Sequence, residues 1–504
     1  SPDAPSQVAR AVSVARGQWL GPPVPGPSAD ITTYVTVPAT YLDPGLLPHC
    51  YMFKENVTAA CAPSPHESGR LVRTTTHVGR YPPAYYAAVG WPSRFTNAVA
   101  GLYLLQAASA VVCGALLALA MTSARRWSSS TWLVPAIAVG ATPMCLFLAS
   151  QVNPSGMEAA SAIAVWASAT ILVTEHLDRP PKGLLAVLVV ATALMVWTRP
   201  TALAWPLVVA AVLGPMAWRR LGRRALLSPE VLAASALLVL VAAGAIAWAL
   251  LAHATSVGPN FGPLPASSSL RHVIFFVVGR LPSLVQQAVG NFGWLDTPLP
   301  WYLVALWASL VVLLIGGAAA VGPKKAVPSV LLMVAACFAV PVALLVAAAH
   351  SYGYVGQGRY FLAIWAGGPI VAAGAIAYQG RDGRHALPRP LPVGALPLVI
   401  AAAVGAAQLF SFYWALRRYT VGIPGPLFWS GEARSPKGQL QWHPPVPAWW
   451  LLGLFAGLCA LYGTTVWRAS ARPARDRSAG SHAEGVEGND HTPVAISPTA
   501  TAQF

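Results

Sequence analysis

From about residue 100 to residue 467 the chain alternates between continuous apolar runs and short polar connections. Eleven runs are long enough to cross a bilayer core, which takes roughly 17–25 helical residues: near 100–122, 131–149, 157–174, 183–198, 201–217, 231–252, 301–320, 329–349, 360–378, 393–413 and 448–467. The runs are continuous rather than alternating, so they predict helices and argue against a barrel. Tight turns are expected at Asn153–Pro154 and Arg199–Pro200, where runs meet with almost no polar residues between them. One stretch reads differently. Phe275-Phe276-Val277-Val278 and Leu281 to Val289, with Arg271 and Arg280 alongside, form the pattern of an amphipathic helix lying along the membrane interface. Such a helix either borders a lateral opening for lipid or serves as a plain packing element.

Composition narrows the class. Of 504 residues 56% are hydrophobic and 10% charged, and the mean hydropathy is +0.56. Soluble domains carry about 25% charged residues, so a soluble enzyme is excluded and an all-α polytopic membrane protein remains. The formal charge of +16 invites a nucleic-acid reading, but its placement gives another. Arg125/Arg126, Arg179/Lys182, Arg219/Arg220/Arg223/Arg224, Lys324/Lys325, Arg381/Arg384/Arg389 and Arg468/Arg472/Arg475/Arg477 fall in alternate, mostly short connections. They hold more than half of the 32 basic residues. This is the signature of cytoplasmic loops, and no nucleic-acid partner follows from it.

The same rule puts residues 1–98 outside as a large first extracytoplasmic loop, 99–467 in the membrane with external segments 253–300 and 414–447, and 468–504 inside as a disordered, Ala/Ser/Pro/Gly-rich tail. A first loop of this length requires something upstream to carry it across. Either a removed signal peptide or a preceding helix would do this, and a preceding helix, twelve in all, is expected. Cys50 and Cys61 lie close together in that loop, where a disulfide is permitted. The other four cysteines fall in apolar runs.

The chain has no P-loop, dinucleotide fingerprint, Cys-x-x-Cys or His-Glu-x-x-His. Candidate chemistry therefore rests on polar groups at the external membrane face, where ionisable residues are costly and usually functional. Eight carboxylates fall there: Asp3, Asp30, Asp43, Glu55, Glu67, Glu158, Asp296 and Glu432. Asp3 is placed close to the bilayer, Glu158 follows Asn153-Pro154-Ser155-Gly156, and Asp296 lies in Gly293-Trp294-Leu295-Asp296. Each is a candidate acid or base, or else a helix cap or ion-pair partner. Arg80, Arg199 and Arg359, beside Tyr81 and Tyr360, suit a phosphate or pyrophosphate headgroup, with interfacial snorkelling as the alternative. Trp294 fits an aromatic belt as well as a sugar platform. No tight carboxylate cluster argues for a metal, although a divalent cation held by residues from separate segments stays open.

Five motifs in order carry a resemblance: Ser1-Pro2-Asp3-Ala4-Pro5-Ser6-Gln7, Val78-Gly79-Arg80-Tyr81-Pro82-Pro83, Asn153-Pro154-Ser155-Gly156, Gly293-Trp294-Leu295-Asp296 and Gly358-Arg359-Tyr360. Over residues 1–467 the chain resembles the actinobacterial membrane proteins grouped as domain of unknown function 2142. Through them it is similar to membrane glycosyltransferases of the GT-C class, bundles of many helices with a large first external loop. The resemblance implies transfer of a sugar from a polyprenyl-phosphate donor to a cell-envelope glycan acceptor at the cytoplasmic membrane. It makes Asp3 the base and Arg80, Arg199 and Arg359 the phosphate ligands. Asn153, Glu158, Trp294 and Asp296 would shape the cleft. The family pattern around Asp3 is Ser-Pro-Asp-Glu-Pro-x-His, whereas this chain has Ala4 and Gln7. A degenerate protein that binds lipid-linked glycan, or an envelope-lipid transporter, is the alternative. The near-absence of charge within the spans counts against transport.

Overall fold

The computed structural model describes residues 3–25, 32–175, 177, 179–220, 226–254, 268–354, 356–378, 395–428 and 441–471. Asp30, Glu432, the basic group at 381–389 and the segment beyond 471 lie outside the described residues.

The protein is a multi-pass, all-helical membrane bundle carrying a small mixed unit at one end. That unit begins with α1 (Ala4–Ala15), continues through β1 (Thr33–Pro38) and β2 (Leu71–Thr76), and ends with α2 (Ala84–Gly90). β1 and β2 pair antiparallel from Thr33↔Thr76 to Pro38↔Leu71. The sequence did not announce α1, because it is buried nearly all round, polar residues included. Gln7 through Val14 are all inside. Arg10 is fully buried and donates to the carbonyls of Gln18, Trp19 and Tyr81 at 3.2, 2.7 and 3.1 Å. Burial pulls its pKa down to about 10.

The bundle follows with α3 (Val99–Trp127), α4 (Leu133–Gly140), α5 (Pro143–Ala149), α6 (Pro154–Thr174), α7 (Lys182–Val196), α8 (Ala204–Arg220) and α9 (Pro229–Leu251). After α10 (Leu270–Gly290) come α11 (Trp301–Val321), α12 (Val327–Tyr352), the short α13 (Leu362–Trp365), α14 (Gly367–Tyr378), α15 (Leu396–Val421) and α16 (Ala448–Ala471). Ten helices among the described residues are long and apolar enough to cross a membrane. Nine of them coincide with expected spans, and three differences have physical causes.

The expected 131–149 span is broken into α4 and α5. Pro143 cannot continue a helix, and Thr142 caps the second piece by accepting from the Cys145 amide at 3.3 Å. The break is tolerated because its polar groups find partners: Gln408 donates to the Ala141 carbonyl at 2.8 Å and Thr142 to that of Ala288 at 2.7 Å. The 183–198 run forms a helix of 15 residues, shorter than a full span. The tenth candidate is α10, the stretch expected along the interface. It qualifies by length and composition. Its flanks, however, return to the same end of the bundle. Before it, the carbonyls of Ala252 and His253 meet Arg80; after it, Asp296 meets Arg418 beside the carbonyls of Tyr51 and Lys54.

Apolarity does not decide which helices form the core. The most apolar stretch of α6 is 89% buried and that of the 358–378 segment 78%, whereas those of the more apolar α9 and of α16, no more apolar than α6, are each 6% buried. In lipid an apolar face gains little by turning inward, so close backbone approach between small residues decides the order. α6 is rich in Ala and Ser, and Gly156 lies where a Cβ would meet the Leu148 carbonyl at 2.6 Å. Trp166 donates to the Ala363 carbonyl at 2.9 Å and locks α6 to the 358–378 segment.

At the end away from the mixed unit, Glu175 is buried and accepts from the Ser128 hydroxyl at 2.9 Å and from the Ser129 amide and hydroxyl. The connections around residues 128 and 182 therefore lie together there, opposite the turns at Asn153 and Arg199.

Candidate functional site

Asp3 stands at the N-cap of α1 yet makes no capping bond with its side chain. Its carboxylate turns to the 358–361 turn, where Oδ2 accepts from Arg359 Nη2 at 2.6 Å. The pair joins the mixed unit to the bundle core across 356 positions of sequence. Arg359 is 4% exposed, and its Nε and Nη1 have no hydrogen-bond partner among the described residues. Its guanidinium lies 5.2 Å from the Tyr360 ring centroid, as does that of Arg199. Gly358 allows this arrangement. A Cβ there would come within 2.2 Å of the Leu284 carbonyl, so only glycine lets the turn press against α10.

Arg199 precedes the turn into α8 and is buried. Its Nε lies 2.9 Å from Glu158 Oε2, and its Nη2 donates to Ser155 Oγ at 2.5 Å. Trp205 donates to Glu158 Oε1 at 2.6 Å. Glu158 thus serves Arg199, the ion-pair reading of that carboxylate. Asn153 caps α6, accepting from the Ser155 amide at 3.0 Å. The turn is pinned from α2, whose Tyr85 hydroxyl accepts from the Asn153 amide at 2.7 Å.

Tyr81 closes the group. Burial raises its pKa, with Arg199, Tyr360, Asp3 and Arg359 all within electrostatic reach. The bond from Arg10 to its carbonyl fixes its backbone. His77, which the sequence did not single out, completes the surroundings of Asp3. Its Nε2 lies 4.0 Å from Asp3 Oδ1, and its Nδ1 is 2.9 Å from the Ser6 hydroxyl. Gln7 accepts from the Tyr86 hydroxyl at 2.6 Å inside the mixed unit.

The remaining candidates are placed elsewhere. Arg80 reaches the carbonyls at the end of α9, both at 3.5 Å, and its own carbonyl accepts from Trp248 at 3.1 Å. Trp294 and Asp296 occupy the turn between β3 (Asn291–Phe292) and β4 (Thr297–Pro298) and face the loop closed by the Cys50–Cys61 disulfide. His49 and Phe53 rest on the Trp294 ring at 5.9 and 5.6 Å. Asp296 pairs with the fully buried Arg418 at 3.4 Å, and Arg418 donates to the carbonyls of Val57 and Lys54 at 2.6 and 2.8 Å. This second cluster ties the disulfide loop to α15. The structure thus gathers Asp3, Tyr81, Glu158, Arg199, Arg359 and Tyr360, whereas Trp294 and Asp296 take their ring contacts and ion pair from the second cluster. Among the described residues no three His, Cys, Asp or Glu side chains converge as metal ligands.

Comparison with known proteins gives one family. The family described as predicted membrane protein (DUF2142) matches residues 1–367. No curated protein matches the chain. Among solved structures, ArnT from Cupriavidus metallidurans in the apo state aligns at 14% identity and a TM-score of 0.39, over 80% of this chain and 65% of that one. The same protein bound to undecaprenyl phosphate aligns at 16% identity and 0.35, over 80% and 66%. The chain therefore spans about two thirds of the length of ArnT.

Proposed function

The chain belongs to the DUF2142 family of membrane proteins, and from that premise we propose that it is a GT-C-like glycosyltransferase of the cytoplasmic membrane, passing a sugar from a polyprenyl-phosphate donor to a cell-envelope glycan acceptor on the extracytoplasmic side. The observation that carries the reading is the Asp3–Arg359 contact. It sets a carboxylate 28% exposed against a guanidinium 3% exposed that keeps two buried donors unengaged by other described residues. Buried donors without partners are rare in proteins. A phosphate offers the acceptor oxygens that Nε and Nη1 lack, in the forked geometry a guanidinium prefers. Arg199 adds a second buried cation 5.2 Å from the other arginine's ring partner, Tyr360.

In this reaction Asp3 takes the proton of the acceptor hydroxyl as its oxygen bonds to the anomeric carbon of the donor sugar. The bond from that carbon to the phosphate oxygen breaks, and the electron pair leaves with the polyprenyl phosphate. Arg359, with Arg199 beside it, stabilises the charge that gathers on the departing phosphate. Glu158 and Trp205 hold Arg199 in place.

The test is transfer by the purified full chain from polyprenyl-phosphate sugars to envelope-glycan acceptors. Asp3→Asn is expected to lower kcat by about 10²–10⁴, the usual worth of general-base catalysis, while donor lipid still binds. Full activity in Asp3→Asn overturns the assignment of the base. Absence of transfer from every such donor overturns the enzyme reading.

A further inference from the structure

We propose that His77 is a positioning residue for Asp3: its neutral ring turns the Nε2–H dipole toward the carboxylate's free oxygen and leaves that oxygen to the acceptor hydroxyl, and its protonated ring draws the oxygen away. The proposal rests on the glycosyltransferase reading above. Asp3 commits Oδ2 to Arg359 at 2.6 Å and turns Oδ1 toward His77 Nε2 at 4.0 Å. That separation is too long for a direct hydrogen bond and leaves Oδ1 as the oxygen open to an incoming hydroxyl. The imidazole is itself held from behind: Ser6 Oγ lies 2.9 Å from Nδ1, and the Ser6 carbonyl accepts from Thr76 Oγ1 at 3.0 Å. One residue of α1 thus anchors both the end of β2 and the ring that follows it. When Ser6 donates to Nδ1, the ring proton sits on Nε2 and points at Asp3.

The charged and titratable groups facing this pair are Arg359 on the 358–361 turn and, beside Asp3, Tyr81, which Arg199 and Tyr360 face in turn. His77 is half exposed, so protons reach it from solvent. The partial burial of the ring lowers its pKa below the usual 6.5, with Asp3 opposing and Arg359 reinforcing the shift. The ring is therefore neutral at pH 7 and steers Asp3 without competing for it. Below the lowered pKa the imidazolium pairs with Oδ1 and withdraws it from the acceptor.

Two measurements on the full chain in lipid nanodiscs test this. In the first, transfer is followed against pH. The wild type is expected to lose activity on an acid limb whose midpoint lies below pH 6.5. His77→Gln is expected to lose that limb and to show kcat reduced roughly tenfold at pH 8 with the donor KM unchanged, a part of the total worth of base catalysis. His77→Arg, charged at every pH, is expected to be inactive throughout. In the second, the imidazole of His77 is titrated by nuclear magnetic resonance, its signal assigned by its absence in His77→Gln. Asp3→Asn is expected to move its midpoint further down, since the Asp3 charge raises it. A His77→Gln profile that keeps the wild-type acid limb, or a His77 titration indifferent to Asp3→Asn, overturns the proposal. Absence of transfer in the wild type overturns the glycosyltransferase reading alone, and the titration then decides whether His77 and Asp3 are coupled.

Discussion

At the scale of single residues, some of the buried charge of the bundle stands in close pairs. Glu158 and Arg199 lie within the most buried part of the bundle with their partners Trp205 and Ser155, so removing one member strands the other. Glu158→Gln leaves the Arg199 charge uncompensated and is expected to cost about 3–5 kcal/mol of stability, read as a lowered unfolding midpoint in detergent. The Glu158→Gln/Arg199→Gln double variant is expected to be less damaged than the two single losses added together. The sequence made these residues legible as candidates, because charge is so sparse in the chain that every ionisable group at an apolar boundary draws notice. It did not make their partners legible. The turn carrying Asp296 reads like those carrying Glu158 and Arg359, and only the fold shows that its partner is Arg418. His77 went unremarked because it follows a run of threonines and its importance arises from a contact 74 positions away.

At the scale of elements, proline and burial explain where pattern reading succeeds and where it stops. The long runs are legible because lipid demands apolar surface and an internally satisfied backbone over a fixed length. The break between α4 and α5 was signalled by Thr142-Pro143, but hydropathy ran straight through it. α1 escaped notice because at 12 residues it is too short to read as a span and its buried surface includes the polar residues Gln7, Arg10 and Ser13. The loop from Cys50 to Cys61 was legible as a disulfide loop from the spacing of two cysteines, while its docking on α15 was not. Since Tyr51, Lys54, Glu55 and Val57 of this loop all contact the end of α15 or the chain just beyond it, reduction or Cys50→Ser is expected to loosen both together. The expected loss is about 2–4 kcal/mol, seen as faster amide exchange at Arg418 and Gly422 with the Asp3–Arg359 region less affected.

At the scale of the whole molecule the two ends of the bundle differ in kind. One end carries the mixed unit, both buried clusters and the turns at Asn153, Arg199 and Gly358. The other carries the Glu175 cap and, beyond α11, the Lys324/Lys325 connection. By the positive-inside rule this second end is the one expected to face the cytoplasm. His66→Cys, at an exposed site on the mixed unit, is expected to react with a membrane-impermeant thiol reagent added to intact cells. Lys325→Cys is expected to react only after the membrane is opened. The reverse pattern overturns the orientation.

The contact between Asp3 and Arg359 also has a consequence in time. A ribosome releases the two residues 356 positions apart, and at roughly 5–20 residues per second that interval lasts tens of seconds. During it the mixed unit can fold around α1, but its carboxylate has no guanidinium to meet. A chain halted before the 358–361 turn emerges therefore lacks the pair, and the contact forms only after α1 to α12 have been made.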